Sequence, residues 1–272
     1  FFFALDCDSN EILDACEIDC QEEQLVVPDN NQLRRFDRYG GFLTVVNSAF
    51  SLVRGIAVGT DGDVYVSSPA GFNRIDRFDG QTLSFLATFA LGLPPGAIDD
   101  LVFGPDGDLY FGVLQQNQIY RLDGATGTFL GSFATTIGQP KALTFGPDGD
   151  LFVAMGGIVQ RFNGQTGVDL GAVSSFIGTD YRDLEFGPDG LLYACDLGQD
   201  RVHSFNVATN QYLGVFVDQS ITTFVAGMWG LRFDSSGDLL VSGFSNGVIG
   251  RFDGVTGAFL DYHVSTPPGQ PT

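Results

Sequence analysis

Short apolar runs recur along the chain, each ended by a polar turn of one of two kinds. The first kind reads Leu143-Thr-Phe-Gly-Pro-Asp-Gly-Asp-Leu-Phe-Val153, with relatives at Ile56 to Val66, Leu101 to Phe111, Leu184 to Ala194 and Leu231 to Val241. The second reads Arg121-Leu-Asp-Gly-Ala-Thr-Gly-Thr-Phe-Leu-Gly131, with relatives beginning at Arg35, Arg77, Arg161, Ser204 and Arg251. The flanks alternate apolar with polar or small residues, which is the period of a strand. Pro105 suits the first corner of a turn because its ring fixes φ, and Gly107 can take the positive φ of a bulged hairpin. The Asp-Gly-x-Thr-Gly stretches predict a second hairpin, with Thr126 or Thr166 bonding to the turn backbone. Each unit therefore predicts four strands, A to D, and no stretch carries a helical period.

The starts of the second element are separated by 42, 44, 40, 43 and 47 residues. Such a period fits a four-stranded propeller blade. The expected fold is all-β: a six-bladed β-propeller of four-stranded blades, with a calcium-type loop inserted near the N-terminus. The first unit is irregular. Gln24 to Val27 aligns with strand B, Gln32 to Asp37 with strand C and Phe42 to Val46 with strand D. The only apolar run ahead of them is Phe1-Phe2-Phe3-Ala4-Leu5. That run either completes blade one of its own chain or pairs elsewhere, which makes it a candidate assembly strand. The expected organisation is 1–23 for the N-terminal strand and acidic loop, 24–264 for the propeller and 265–272 for a Pro-rich tail.

The repeat resembles NHL-type propellers, especially secreted bacterial ones built from FGPDGxLYV and RFDGxTGxFLG units. Phe103 to Tyr110, Phe145 to Phe152, Phe186 to Tyr193 and Arg251 to Leu260 carry the resemblance, which covers roughly residues 24–264. It implies a fold and leaves the activity open, because propellers host unrelated functions. Residues 6–20 separately resemble the Asp-rich calcium repeats of thrombospondin type 3 and dockerin modules.

Composition narrows the partners. The chain carries 33 acidic and 13 basic residues, a formal charge of −20. This argues against nucleic acid, whose phosphates need clustered Lys and Arg, and against an anionic membrane surface. No apolar run approaches the roughly 18 residues that span a bilayer. The chain begins with Phe rather than Met, as expected after removal of a leader. Extracellular or cell-surface localisation is the expectation.

The acidic N-terminal stretch fits a twelve-residue calcium loop. Asp6, Asp8 and Asn10 stand at positions 1, 3 and 5, Ile12 offers its carbonyl at 7, Asp14 holds 9 and Glu17 can be bidentate at 12. Calcium takes six to eight hard oxygens in loose geometry, which this spacing can bring to one point. Glu11 stands where a glycine usually makes the sharp turn. The other reading is an acidic leader without metal. Cys7, Cys16 and Cys20 lie in the same stretch and are candidates for a disulfide. One of them is left over, or pairs with Cys195 or another chain. Cys195 itself reads equally as a small buried thiol.

A catalytic signature is absent from the sequence. The two histidines, His203 and His263, fall in a strand C and the last strand D. The letters Gly-x-Ser-x-Gly occur at Gly243 to Gly247, between two predicted strands and not at the strand-to-helix turn of a nucleophile elbow, and there is no phosphate loop. The strand A entrances place Arg54, Asp99, Asp100, Lys141, Arg182, Asp183 and Trp229 around the channel mouth as a candidate rim binding site. The plain alternative is a charge-paired rim. Glu185 and Arg232 fall at equivalent places in adjacent blades and predict a salt bridge. The leading expectation is a non-enzymatic extracellular scaffold, self-assembling and calcium-stabilised, whose partner is itself or other extracellular proteins and glycans. A carbohydrate- or peptide-binding propeller is the alternative, and a propeller-type lyase or hydrolase the third.

Overall fold

A computed structural model describes residues 3–5, 24–29, 32–37, 39–47, 53–68, 73–173, 178–218 and 225–264. The strands form four-stranded antiparallel sheets in a propeller arrangement, each in simple sequence order. The first blade after the leading sheet holds β5 (Ile56–Val58), β6 (Val64–Ser68), β7 (Arg74–Phe78) and β8 (Phe85–Ala90). Then come β9 (Ile98–Phe103), β10 (Leu109–Val113), β11 (Gln118–Leu122) and β12 (Phe129–Thr135). The next blade is β13 (Ala142–Phe145), β14 (Leu151–Met155), β15 (Ile158–Phe162) and β16 (Asp169–Ala172). It is followed by β17 (Tyr181–Phe186), β18 (Leu192–Asp196), β19 (Arg201–Asn206) and β20 (Gln211–Asp218). The last is β21 (Met228–Phe233), β22 (Leu239–Gly243), β23 (Ile249–Phe252) and β24 (Phe259–Val264). No α-helix occurs among the described residues, as the sequence pattern predicted; a single turn of 3-10 helix spans Leu114–Gln116.

Ahead of these five blades lies a sheet of β1 (Phe3–Leu5), β2 (Gln24–Asp29), β3 (Gln32–Asp37) and β4 (Phe42–Asn47). The expectation of six blades thus meets five blades and this leading four-stranded sheet. The open question about the N-terminal run is answered for Phe3, Ala4 and Leu5. They pair antiparallel with Val26, Leu25 and Gln24 of their own chain, so β1 is the inner strand of its own sheet rather than a strand left over.

The repeated residues explain the blade. In the first hairpin, the N–H of Gly104 bonds the carbonyl of Asp108 at 2.8 Å, and Gly107 adopts a φ of 82°. In the second, Asp123 Oδ1 accepts from the N–H of Thr126 at 2.8 Å and from its hydroxyl at 2.7 Å. The two hairpins touch. A Cβ on Gly124 would lie 1.8 Å from the carbonyl oxygen of Gly107, so only glycine fits there. Tyr110 ties hairpin to sheet through a 2.9 Å hydrogen bond to Asp106, while Arg121 reaches Asp106 at 3.0 Å and bonds Asp108.

The same tyrosine joins neighbouring blades. Its ring meets Phe133 of its own blade at 4.8 Å and Phe145 of the next at 5.0 Å, both edge to face. Tyr65 with Phe103, Phe152 with Phe186 and Tyr193 with Phe233 repeat the contact. Edge-to-face pairs at this spacing are favourable beyond the area they bury. The Phe of each Phe-Gly-Pro-Asp-Gly unit is therefore the wedge against the preceding blade.

The leading sheet is packed on both sides. Val26 and Leu33 join a core with Ile56, Val64, Val66 and Phe78, whereas Phe36 joins Leu240, Ile249 and Val264. Gly40, at φ 79°, sits so close to β24 that a Cβ would stand 1.5 Å from the His263 carbonyl oxygen. Gly127 meets Phe89, Gly167 meets Phe133 and Gly257 meets Phe216 in the same way.

Candidate functional site

The predicted rim residues lie at the starts of the inner strands or just ahead of them. Pairing registers shift between Phe111 and Val113, between Tyr181 and Asp183, and between Met228 and Gly230. These irregularities fall at Asp99 and Asp100, at Arg182 and at Trp229. A bulge re-aims side chains and interrupts the ladder, which sets these residues apart from the regular core positions of their strands. Arg54 and Lys141 lie just ahead of β5 and β13.

The charges at these strand entrances are paired with one another. Arg54 is ion-paired to Asp99 of the next blade, and Lys141 to Asp180 of the next blade. Arg182 also holds Asp180, at 2.7 Å, and its guanidinium lies 4.5 Å from the ring centroid of Trp229. Trp229 in turn meets Phe244 at 5.1 Å, and Phe244 is 72% exposed. The result is a chain of contacts from blade to blade, with each of the three cations against a carboxylate.

Asp100 is buried and Asp183 partly buried, and both serve the backbone. Asp100 accepts the N–H of Leu101 at 2.9 Å and that of Leu143 in the next blade at 2.7 Å. Asp183 accepts from Leu184 and from Leu231 of the next blade, each at 2.9 Å. The residue before each receiving leucine is small, Ala142 or Gly230. Ser67 gives a related link by donating to the Ile98 carbonyl at 3.1 Å. Burial, reinforced by the charge of Asp183, raises Asp100 well above the ordinary carboxylate range; burial alone lifts Asp183 to about 6. The predicted bridge is present, with Arg232 3.3 Å from Glu185. Burial pushes Glu185 up to about 8 against the opposing pull of Arg232.

Sequence reasoning missed a buried polar line in the blade of β17 to β20. His203 Nδ1 lies 3.0 Å from the Tyr212 hydroxyl, and its Nε2 lies 3.6 Å from Asp196. Asp196 also accepts from the Thr179 hydroxyl at 2.7 Å and from the N–H groups of Thr179, Asp180 and Gly198 at 2.9 to 3.0 Å. Burial would raise Asp196, but the nearby His203 and the hydrogen bonds from Thr179 and Asp180 outweigh it and hold the carboxyl well below its usual range. The line joins the outer strand to the loop carrying Asp180, and so to Lys141 and Arg182. Its only signal in the sequence was a histidine in a strand C, where the other blades place Asp76, Tyr120, Gln160 or Gly250.

The calcium-loop residues Asp6, Asp8, Asn10, Ile12, Asp14 and Glu17, the cysteines Cys7, Cys16 and Cys20, and Phe1 and Phe2 lie outside the described residues. Cys195 is a buried free thiol. Among the described residues, no group of three or more His, Cys, Asp or Glu is arranged to hold a metal. No helix among them is long and apolar enough to cross a membrane. Compared with protein-family models and with curated proteins, the chain matches none.

Proposed function

We propose that this chain is a non-enzymatic extracellular scaffold, an NHL-type propeller that closes as a six-bladed ring and assembles with copies of itself. One observation carries the non-enzymatic part. The ionisable side chains at the channel mouth are engaged in holding blades together: Arg54 with Asp99, Lys141 and Arg182 with Asp180, and Asp100 and Asp183 on backbone N–H groups of the next blade. A catalytic acid or base needs a reacting atom within hydrogen-bond reach, and these groups already spend that reach on the fold.

Closure as six blades is supported by the glycine contacts. Gly40 meets His263 as Gly127 meets Phe89 and Gly167 meets Phe133. The leading sheet thereby takes up toward the last blade the relation that other blades have toward their predecessors. In this reading the calcium loop of Asp6, Asp8, Asn10, Ile12, Asp14 and Glu17 joins β1 to β2, and bound calcium fixes that connection while cysteines of the same stretch cross-link it. Calcium also lowers the repulsion between copies that each carry a formal charge of −20.

The test is particle size by light scattering, with calcium present and after chelation. The scaffold reading expects particles far above the 29.2 kDa chain with calcium. A monomer in both conditions counts against it. A second reading, a carbohydrate- or peptide-binding module, is favoured by the exposed Phe244 beside Trp229. Glycan-array binding that disappears in Trp229→Ala would replace the scaffold reading with this one.

A further inference from the structure

We infer that the outer rim of the propeller is the surface through which copies of this chain pack, edge to edge, with one leucine per blade at each contact. This deepens the scaffold reading and rests on it. The outer strands β4, β8, β12, β16, β20 and β24 place Leu43, Leu86, Leu130, Leu170, Leu213 and Leu260 at one equivalent position. Their exposure runs from 45% at Leu260 to 51% at Leu130, so about half of each side chain faces outward in every blade. Phe42, Phe85 and Phe129 precede three of them and are also exposed.

The other repeated residues have work to do inside the blade: Gly124 fits under a carbonyl, Asp123 ties a turn, and Tyr110 wedges between sheets. An aliphatic side chain kept half exposed at the same place throughout has no comparable internal role. Single exposed apolar residues need no explanation, but a regular series of them does.

Charge selects the occupant. The outer strands contain no Lys, Arg or Glu, and Asp169, Asp218 and Asp261 are their only carboxylates. Native edge strands are usually guarded by charge, Lys above all, and these edges lack that guard. Two copies of formal charge −20 repel wherever their acidic turns meet. The charge-poor rim is where they can approach, and an apolar rim is complementary to itself. The backbone edge is a poor template for a further strand, because each pairing with an outer strand carries register shifts. Contact is therefore through side chains.

Area sets the form of the assembly. One half-exposed leucine per blade edge offers far less apolar surface than the roughly 800 Å² per partner of a stable pair. A lone contact is too small to hold a dimer, whereas several edges engaged at once reach the required area. The rim thus builds extended arrays above a threshold concentration, with no stable dimer before it.

The experiment is sedimentation velocity over a concentration series in calcium and high salt, which screens the repulsion, followed by electron microscopy of the same samples. The full chain is compared with Leu86→Lys/Leu130→Lys/Leu170→Lys, each substitution on an outward side chain. The wild type should pass from monomer to arrays without a dimer, and the triple variant should stay monomeric at tenfold higher concentration. Circular dichroism checks its fold. If the lysines disturb folding, Leu→Gln at the same three positions takes their place and carries the same expectation. Arrays from the folded variant at the wild-type threshold overturn the rim contact and leave the scaffold reading standing. A wild type that remains monomeric overturns both, and a dimer as end state overturns the many-edge geometry.

Discussion

Asp100 on β9 accepts the backbone N–H of Leu143 on β13 at 2.7 Å, so a buried carboxylate of one blade satisfies a donor of the next. Asp183 and Leu231 repeat the link two blades on. Inner strands of neighbouring propeller blades do not pair through their backbones, and donors at their bulged entrances need such partners. Removing the acceptor leaves a buried N–H alone, which costs about 1–3 kcal/mol. Asp100→Ala should therefore lower the unfolding free energy in urea by about that amount. Asp261→Ala, which removes an exposed partner of Arg251, should change it by less than about 1 kcal/mol. Equal effects would show that the link does not stabilise the blade interface.

The same burial makes stability fall with rising pH in the middle range. Asp183 and Glu185 are raised to about 6 and about 8 in the folded chain. Unfolded, they titrate near about 4. Between these limits the folded state binds more protons than the unfolded state, so stability decreases as pH rises. Carboxylates held low by hydrogen bonds, Asp196 foremost, have the opposite sign and lose their contribution only in acid. The melting temperature should be higher at pH 5 than at pH 8, and Glu185→Gln should reduce that difference. A melting temperature that rises from pH 5 to pH 8 would contradict the assignment.

The proposed closure of the ring can be tested at two glycines of similar φ. Gly62, at φ 78°, has open space where a Cβ would go, while Gly40, at φ 79°, faces the His263 carbonyl at 1.5 Å. Gly62→Ala should cost about 1 kcal/mol from backbone conformation alone. Gly40→Ala adds a steric clash with β24 and should cost clearly more. Similar melting temperatures for the two variants would mean that the leading sheet does not close on the last blade.

Calcium binding is tested by calorimetric titration. Binding to the native chain should release or absorb heat and raise the melting temperature as the site fills. Asp8→Asn/Glu17→Gln should abolish both, since it removes two hard anionic ligands of the proposed loop. Heat and stabilisation that persist in this variant place the ion elsewhere.

Much of the fold was legible because its rules are local. Pro105 and Gly107 mark one hairpin, Asp123 and Thr126 the other, and their period marks the blades. Glu185 and Arg232 could be paired in advance because they occupy matched positions in adjacent repeats. The roles of Asp100 and Asp183 were not legible. As members of a rim they looked like ligands, and only the direction of their side chains at the bulged strand entrances turns them toward the next blade's backbone. His203 looked like an outer-strand residue without a task, because its partners Asp196 and Tyr212 sit on neighbouring strands with no spacing to announce them. The half-exposed leucines were visible as letters of the repeat, but strand alternation alone did not say that this position faces outward.

The central claim, that the propeller is an assembly scaffold, is tested most directly by negative-stain electron microscopy of the purified chain with calcium and again after chelation. The account predicts ordered arrays or filaments with calcium that break up into single discs when it is removed. Isolated discs in both conditions, at concentrations well above those expected outside a cell, would contradict it and return the search to the ring of Arg182, Trp229 and Phe244.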